Sequence, residues 1–180
     1  MANLIILEGL SRTGKSTIST TLAKKQGFRS ISIKNKMPDF VENLHDFYHG
    51  IHTLSNVLYS EYPNDTFVLD RSFLSELVYS EFFNRKSLIE MDDSIPKLLE
   101  NNFMLVYLSN SYQRYIQRGP KDKIIYSESD FDMQKRAFDY HFKSYQEKYE
   151  EKRFLEIDTV ETSIEDSIKL IMSRYDDLKK

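Results

Sequence analysis

Cysteine is absent from the 180 residues. That excludes disulfides, thiolate metal sites and a cysteine nucleophile, and it fits a reducing compartment. No run of about 18 apolar residues occurs, so no segment is expected to span a membrane. There is no excess of one charge either. The 25 Lys and Arg nearly balance the 28 Asp and Glu, and the net charge is −3. Bulk electrostatics therefore do not favour a nucleic-acid partner, although a local basic patch stays possible. The first residues lack the basic start and long apolar stretch of a signal peptide, and the expected location is the cytoplasm. No repeat, low-complexity linker or compositional break divides the chain, so residues 1–180 are expected to form a single domain around one core.

Apolar patterning lays out alternating strands and helices. NLIILE at 3–8 is a short apolar run, read as a buried parallel strand, and a helix follows from Lys15 to Gln26. FRSISIK at 28–34 alternates like a strand until Met37-Pro38-Asp39 breaks it. Phe40 to Tyr59 reads as a long helix with Gly50 as a candidate bend, ended by Pro63-Asn64-Asp65. TFVLD at 66–70 is a third strand, followed by helices from Ser72 to Arg85 and from Ser94 to Asn101. FMLVYLS at 103–109 is the clearest buried strand. Tyr112 to Arg118 is helical up to Gly119-Pro120, and Asp130 to Lys152 is a long helix with a core stripe at Phe138, Phe142, Tyr145 and Tyr149. RFLEID at 153–158 is a fifth strand, and Ser163 to Leu178 a closing helix. This alternation predicts an α/β fold, a five-stranded parallel sheet with helices on both faces. Ligands of such folds bind at the carboxyl ends of the strands. Glu8-Gly9, Lys34, Asp70-Arg71, Ser109 and Asp158 are expected on that edge.

The stretch LEGLSRTGKST, residues 7–17, carries the most specific signal. Gly9, Gly14, Lys15 and Ser16 match the P-loop NTPase pattern, GxxxxGK followed by Ser or Thr. The glycines admit backbone conformations and close approaches that a Cβ obstructs. Backbone N–H groups then converge on phosphate oxygens at the positive end of the next helix. Gly9, Ser11, Arg12, Thr13, Gly14, Lys15, Ser16 and Thr17 form the candidate nucleotide cradle. In it Lys15 reaches the β- and γ-phosphates and the Ser16 hydroxyl ligates Mg²⁺, so the cofactors expected are ATP and Mg²⁺. The bland alternative is a glycine turn with no ligand.

VLDRS places Asp70 at a strand end with Arg71 beside it. A carboxylate there suits the Mg²⁺ shell, giving metal candidates Ser16 and Asp70, and a planar cation suits an anionic acceptor or the phosphoryl group in flight. Alternatively, Asp70 is only a helix cap and Arg71 its surface partner. Between Ser111 and Ser129 a basic segment, with Arg114, Arg118, Lys121 and Lys123 around a Gly-Pro break, has the properties of a short lid. A solvated basic helix end is the alternative. Lys15, Asp70, Arg71, Arg118 and Arg114 are the catalytic candidates. His45, His49 and His52 share a helical spacing, but no companion ligand pattern supports a metal site there.

Together these residues resemble the thymidylate kinase and deoxynucleoside kinase group of P-loop kinases. LEGLSRTGKST is similar to the opening loop of thymidylate kinases. VLDRS falls where that group has Asp-Arg-Tyr or Glu-Arg-Ser type motifs, and it carries the aspartate of one and the serine of the other. The resemblance implies a nucleoside monophosphate kinase-like fold with a lid at about 111–129. It also implies that Arg71 touches the acceptor, that Asp158 to Glu161 flank the donor adenine, and that a homodimer can form. Two departures matter. Ser11 stands where thymidylate kinases usually have an acidic residue, and IKNKMPDF after the second strand lacks both the arginine of one subgroup and the glutamate of the other.

Lys34 and Lys36 can hold an acceptor phosphate there, whereas Asp39 or Glu8 can take a proton from a hydroxyl, unless Glu8 only braces the loop. Tyr79 and other aromatics, Phe40, Phe47, Tyr48 and Phe83, are candidates to stack on an acceptor base. The expected reaction is ATP-dependent phosphoryl transfer to a deoxynucleoside monophosphate, thymidylate or a related pyrimidine deoxynucleotide. The alternatives are a deoxynucleoside 5′-kinase, a kinase of a nucleic-acid base or end, and a regulatory module that binds a nucleotide without transfer. The expected partner is a small molecule. Nucleic acid is possible but less favoured, and no membrane is involved.

Overall fold

A computed structural model describes residues 3–32, 44–84, 94–119 and 126–179. Strands β1 (Asn3–Gly9), β2 (Arg29–Ser32), β3 (Thr66–Asp70), β4 (Asn102–Ser109) and β5 (Phe154–Asp158) form one parallel sheet in the order β2-β3-β1-β4-β5. The described helices are α1 (Lys15–Gln26), α2 (Leu44–Glu61), α3 (Phe73–Phe82), α4 (Ser94–Leu99), α5 (Tyr112–Gln117), α6 (Glu128–Gln146) and α7 (Ile164–Leu178).

The apolar run of β1 is central because both of its faces are covered. Leu4 and Ile6 join Phe67, Leu69, Phe103, Leu105 and Tyr107 beneath α2 to α6, while Ile5, Leu7, Val68, Met104, Val106 and Leu108 meet Ile18 and Leu22 of α1 and Ile171 and Tyr175 of α7. Alternate residues of one strand thus feed two cores, each buried side chain contributing about 1.5–3 kcal/mol. β2 is an edge strand and mostly exposed. The chain goes from β1 out to β2, returns to β3 and then crosses β1 to β4. That change of direction opens a crevice at the carboxyl end of β1. In register, Leu7 lies beside Asp70, Gly9 beside Leu108, Ser32 beside Asp70 and Ser109 beside Asp158.

Serine caps set several helix starts. Ser111, Ser127 and Ser163 each accept an N–H from the residue three positions on, and in α6 Asp130 returns a bond to Ser127, completing a capping box. That cap starts α6 at Glu128 rather than Asp130. The helix also ends earlier than its aromatic stripe suggested, at Gln146 instead of Lys152, and a 3-10 turn, Glu151–Arg153, leads into β5. Arg153 anchors this turn by donating to the Phe103 carbonyl at 3.3 Å, and Tyr149, beyond the helix, still packs edge-on against Phe103. The aromatic period therefore reports burial rather than helix length. Gly50 does not interrupt α2, since one exposed glycine costs a helix only about 1 kcal/mol.

Candidate active site

The loop after β1 is shaped by one close approach. A Cβ on Gly9 would sit 2.2 Å from the Leu108 carbonyl oxygen, and the residue has φ +128°. Only glycine lets β1 run this near β4 while the chain turns into the loop. At the other end Gly14, φ +96°, is the N-cap of α1 and brings no side chain to the helix's first amides. The N–H groups of this first turn have no carbonyl partner within the helix, which is the arrangement that receives phosphate oxygens.

Lys15 lies buried inside the loop. Its ammonium donates to the Gly9 carbonyl at 2.8 Å, to Thr13 Oγ1 at 3.1 Å and to the Leu10 carbonyl. Burial and the neighbouring Arg71 guanidinium hold its pKa well below the ordinary lysine range, only partly countered by Asp70 and Glu8. An added anion would draw the pKa back up, so the site favours a phosphate at this ammonium.

Asp70 ends β3 with its Oδ2 2.5 Å from Ser16 Oγ and 3.3 Å from Ser32 Oγ. A hydroxyl and a carboxylate beside a phosphate loop are hard oxygen donors. This set fits Mg²⁺, which takes one or two protein oxygens and completes its octahedron with phosphates and water. Elsewhere, no group of three or more His, Cys, Asp and Glu gathers among the described residues. His52 is buried with Nε2 3.2 Å from Ser72 Oγ, a position inside the fold.

Arg71 takes the left-handed conformation at φ +75°, which a non-glycine residue adopts at a cost of about 1–2 kcal/mol. Its own N–H donates to the Leu7 carbonyl at 3.0 Å. Its Nη1 reaches Ser75 Oγ at 3.1 Å, Tyr79 OH at 3.3 Å and the Gly9 carbonyl at 3.4 Å. Burial lowers its pKa, but Tyr79, Glu8 and Asp70 outweigh that and leave the guanidinium firmly charged. Tyr79 thus carries Arg71, with its ring 5.3 Å from the guanidinium carbon.

Glu8 is the buried counter-ion of this cluster. Oε1 accepts from the Ser72 N–H at 2.8 Å and the Ser75 N–H at 3.3 Å, and Oε2 accepts from Ser75 Oγ at 2.5 Å. A carboxylate from β1 therefore caps the start of α3, where the helix dipole favours negative charge. Burial raises its pKa, offset in part by Ser75, Arg71 and Lys15. The candidate general base is thereby occupied as a brace between β1 and α3.

On the opposite wall, α5 leans on the loop. Arg118 donates from Nη1 to the Arg12 carbonyl, and Arg12 donates from Nη1 to the Tyr115 carbonyl at 3.0 Å. The Arg118 pKa is drawn down by burial and by Arg114. Arg114 itself is exposed on α5. Of the expected site residues, the structure gathers Gly9, Arg12, Thr13, Gly14, Lys15, Ser16, Asp70, Arg71, Tyr79 and Arg118. Ser11 and Thr17 lie on the same loop and helix start. Lys34, Lys36 and Asp39 lie outside the described residues, as do positions 120–125 of the expected lid. Ser32, Ser75 and Tyr115 were missed by sequence reasoning, whereas Ser72 was noted there as the serine of VLDRS. Only Ser75 left a signal there, four residues after Arg71 on a helix start.

Neither a family model nor a curated protein sequence matches the chain. Solved structures do. The YorR protein of Bacillus subtilis, in complex with phosphorylated GDP, superposes with a TM-score of 0.64 at 19% identity, covering 94% of each chain. Deoxyadenosine kinase from M. mycoides, with its products dCMP and dCDP, gives 0.63 at 18% identity over 97% of this chain and 99% of that one. Thymidylate kinase from Candida albicans gives 0.61 at 14% identity over 98% and 92%. With the sheet order above, these likenesses give the chain a P-loop kinase fold of the nucleoside monophosphate kinase type.

Proposed function

We propose that this chain is a phosphotransferase that moves the γ-phosphoryl group of Mg·ATP to a deoxynucleoside monophosphate, with thymidylate or a related pyrimidine deoxynucleotide as the first acceptor to test. One observation carries the choice of a monophosphate. Among the described residues, the two carboxylates beside the loop are already committed, Glu8 to Ser72 and Ser75 and Asp70 to Ser16 and Ser32. A 5′-hydroxyl acceptor profits from a base that takes its proton. A monophosphate offers an oxygen that is already anionic, and what it requires is cations.

Those cations surround the loop. Loop amides and Lys15 hold the donor phosphates, Arg71 meets the acceptor phosphate, and Arg118 from α5 adds charge from the other side. An acceptor oxygen attacks the γ-phosphorus as the bond to the β-phosphate oxygen breaks, leaving ADP and a nucleoside diphosphate. Ser16 and Asp70 would hold Mg²⁺, which would supply charge neutralisation on the phosphate oxygens. The basic segment after α5 serves as the lid that keeps water from the γ-phosphate, and Lys34 and Lys36 add to the acceptor-phosphate site.

The test is to incubate purified protein with Mg·ATP and each deoxynucleoside and deoxynucleoside monophosphate, and to resolve the products. Formation of ADP and a deoxynucleoside diphosphate is expected. Turnover of nucleosides alone would replace the reading with a 5′-kinase and make Asp39 the base to substitute. Silence on every small acceptor, with ATP bound, would overturn it in favour of a nucleic-acid substrate or a regulatory nucleotide binder.

A further inference from the structure

Tyr115 is a buried aromatic of α5, and its surroundings show more than packing. Its ring lies under the Arg12 guanidinium, whose carbon is 4.2 Å from the ring centroid. Its backbone carbonyl, near the end of α5, accepts from Arg12 Nη1 at 3.0 Å. Its hydroxyl accepts from the Tyr126 N–H at 3.2 Å, at the far end of the expected lid. One residue therefore touches the phosphate loop and both ends of the basic segment. Arg12 needs such support because it sits in the left-handed region at φ +63°. Its carbonyl is held by Arg118, and one face and one nitrogen of its guanidinium are held by Tyr115. The remaining N–H groups, at Nε and Nη2, are buried and lack a hydrogen-bond partner among the described residues. Leaving charged donors unpaired is costly unless an anion completes them. Arg12 belongs to the loop read as a phosphate cradle, so the completing anion is a donor phosphate.

We propose that Tyr115 is the positioning residue that presets the Arg12 guanidinium for the donor phosphates. The inference rests on the phosphate-loop reading and deepens it. A purely structural Tyr115 would act on stability alone. A positioning Tyr115 acts on nucleotide affinity, and only while Arg12 is present.

The experiment is calorimetric titration of the full chain with Mg·AMP-PNP, a non-hydrolysable ATP analogue. Tyr115→Phe keeps the ring face and the carbonyl, and an affinity within about threefold of wild type is expected. Tyr115→pentafluorophenylalanine keeps the shape but removes the negative ring face, and binding about 3- to 10-fold weaker than Tyr115→Phe is expected. In an Arg12→Gln background the two aromatic variants should bind alike, since the group that reads the ring is gone. An equal loss from the fluorinated ring with and without Arg12 would overturn the inference. So would equal affinity of the two aromatic variants in the Arg12 protein. Arg12→Lys gives a second route that leaves the buried ring untouched. It keeps the charge but loses the planar face, so wild-type affinity in this variant would also overturn the inference. Failure of the wild-type protein to bind Mg·AMP-PNP would instead overturn the phosphate-loop reading itself.

Discussion

Gly9→Ala is the sharpest test of how the loop is built. The added Cβ would stand 2.2 Å from the Leu108 carbonyl oxygen and 3.0 Å from its carbon. Ordinary contacts need about 3.4 Å or more, so β1 and β4 must part by roughly 1 Å at this point. Both strands are buried and neither can swing aside cheaply. Overpacking of this kind costs about 1–3 kcal/mol. Alanine at φ +128° adds about 1–3 kcal/mol of backbone strain. The sum, roughly 2–6 kcal/mol, is a large part of the 5–15 kcal/mol that holds a typical domain together. For a domain of this size each kcal/mol moves the melting temperature by about 2–4 °C, so a fall of about 4–24 °C is expected in a thermal melt followed by circular dichroism. The Gly9 carbonyl also receives Lys15 and Arg71, so nucleotide affinity should fall in the same variant. Gly50→Ala is the internal control. Among the described residues nothing lies within 4 Å of its Cβ, and its φ is ordinary, so helix propensity predicts a gain of about 0.5–1 kcal/mol. A Gly9→Ala protein that melts within about 2 °C of wild type would refute the close-approach argument.

Four further outcomes follow from the cation and carboxylate cluster. The depressed Lys15 pKa means that binding an ATP analogue at alkaline pH takes up a proton, so affinity should fall about tenfold per pH unit once pH passes the free protein's Lys15 pKa, below the ordinary lysine range. Stability of the free protein carries the opposite sign: between that pKa and the unfolded lysine value the unfolded chain binds more protons, so the Lys15 contribution to stability rises with pH, as denaturant titrations can follow. Ser16→Ala and Asp70→Asn should each raise the Mg²⁺ concentration needed for half-maximal transfer by about 10-fold or more while leaving the fold intact, which titration of Mg²⁺ at fixed ATP checks. Ser75→Ala removes the hydroxyl between Arg71 Nη1 and Glu8 Oε2 and should cost about 1–3 kcal/mol in urea unfolding, with a larger loss in kcat than in the KM for ATP.

Much of the layout could be read from residue order alone. The helix Lys15–Gln26 and the strand Thr66–Asp70 fall on the residues that patterning indicated, because an apolar run buried on both faces, flanked by turn residues, has few other solutions. The loop glycines, Lys15 and Ser16 were legible for a related reason: a short local motif must contain its own geometry. Element ends were less legible. The α6 terminus was misplaced because Tyr149 stays in the core after leaving the helix, and burial alone set the period that was being read.

What the residue order could not contain is the pairing of distant groups. Glu8 meets Ser75 across 67 positions, Ser16 meets Asp70 across 54, and Arg12 meets Tyr115 across 103. Each of these residues has an ordinary local reading: a loop brace, a helix cap, a core ring. The choice among such readings is made by the sheet order β2-β3-β1-β4-β5, which sets β3 and β4 on either side of β1 and brings their carboxyl ends to the same loop. Local propensity acts over a few residues and decided the strands, the helices and the phosphate loop. Long-range packing of two apolar cores decided which carboxylate braces Arg71, which one is left beside Ser16, and which ring lies under Arg12.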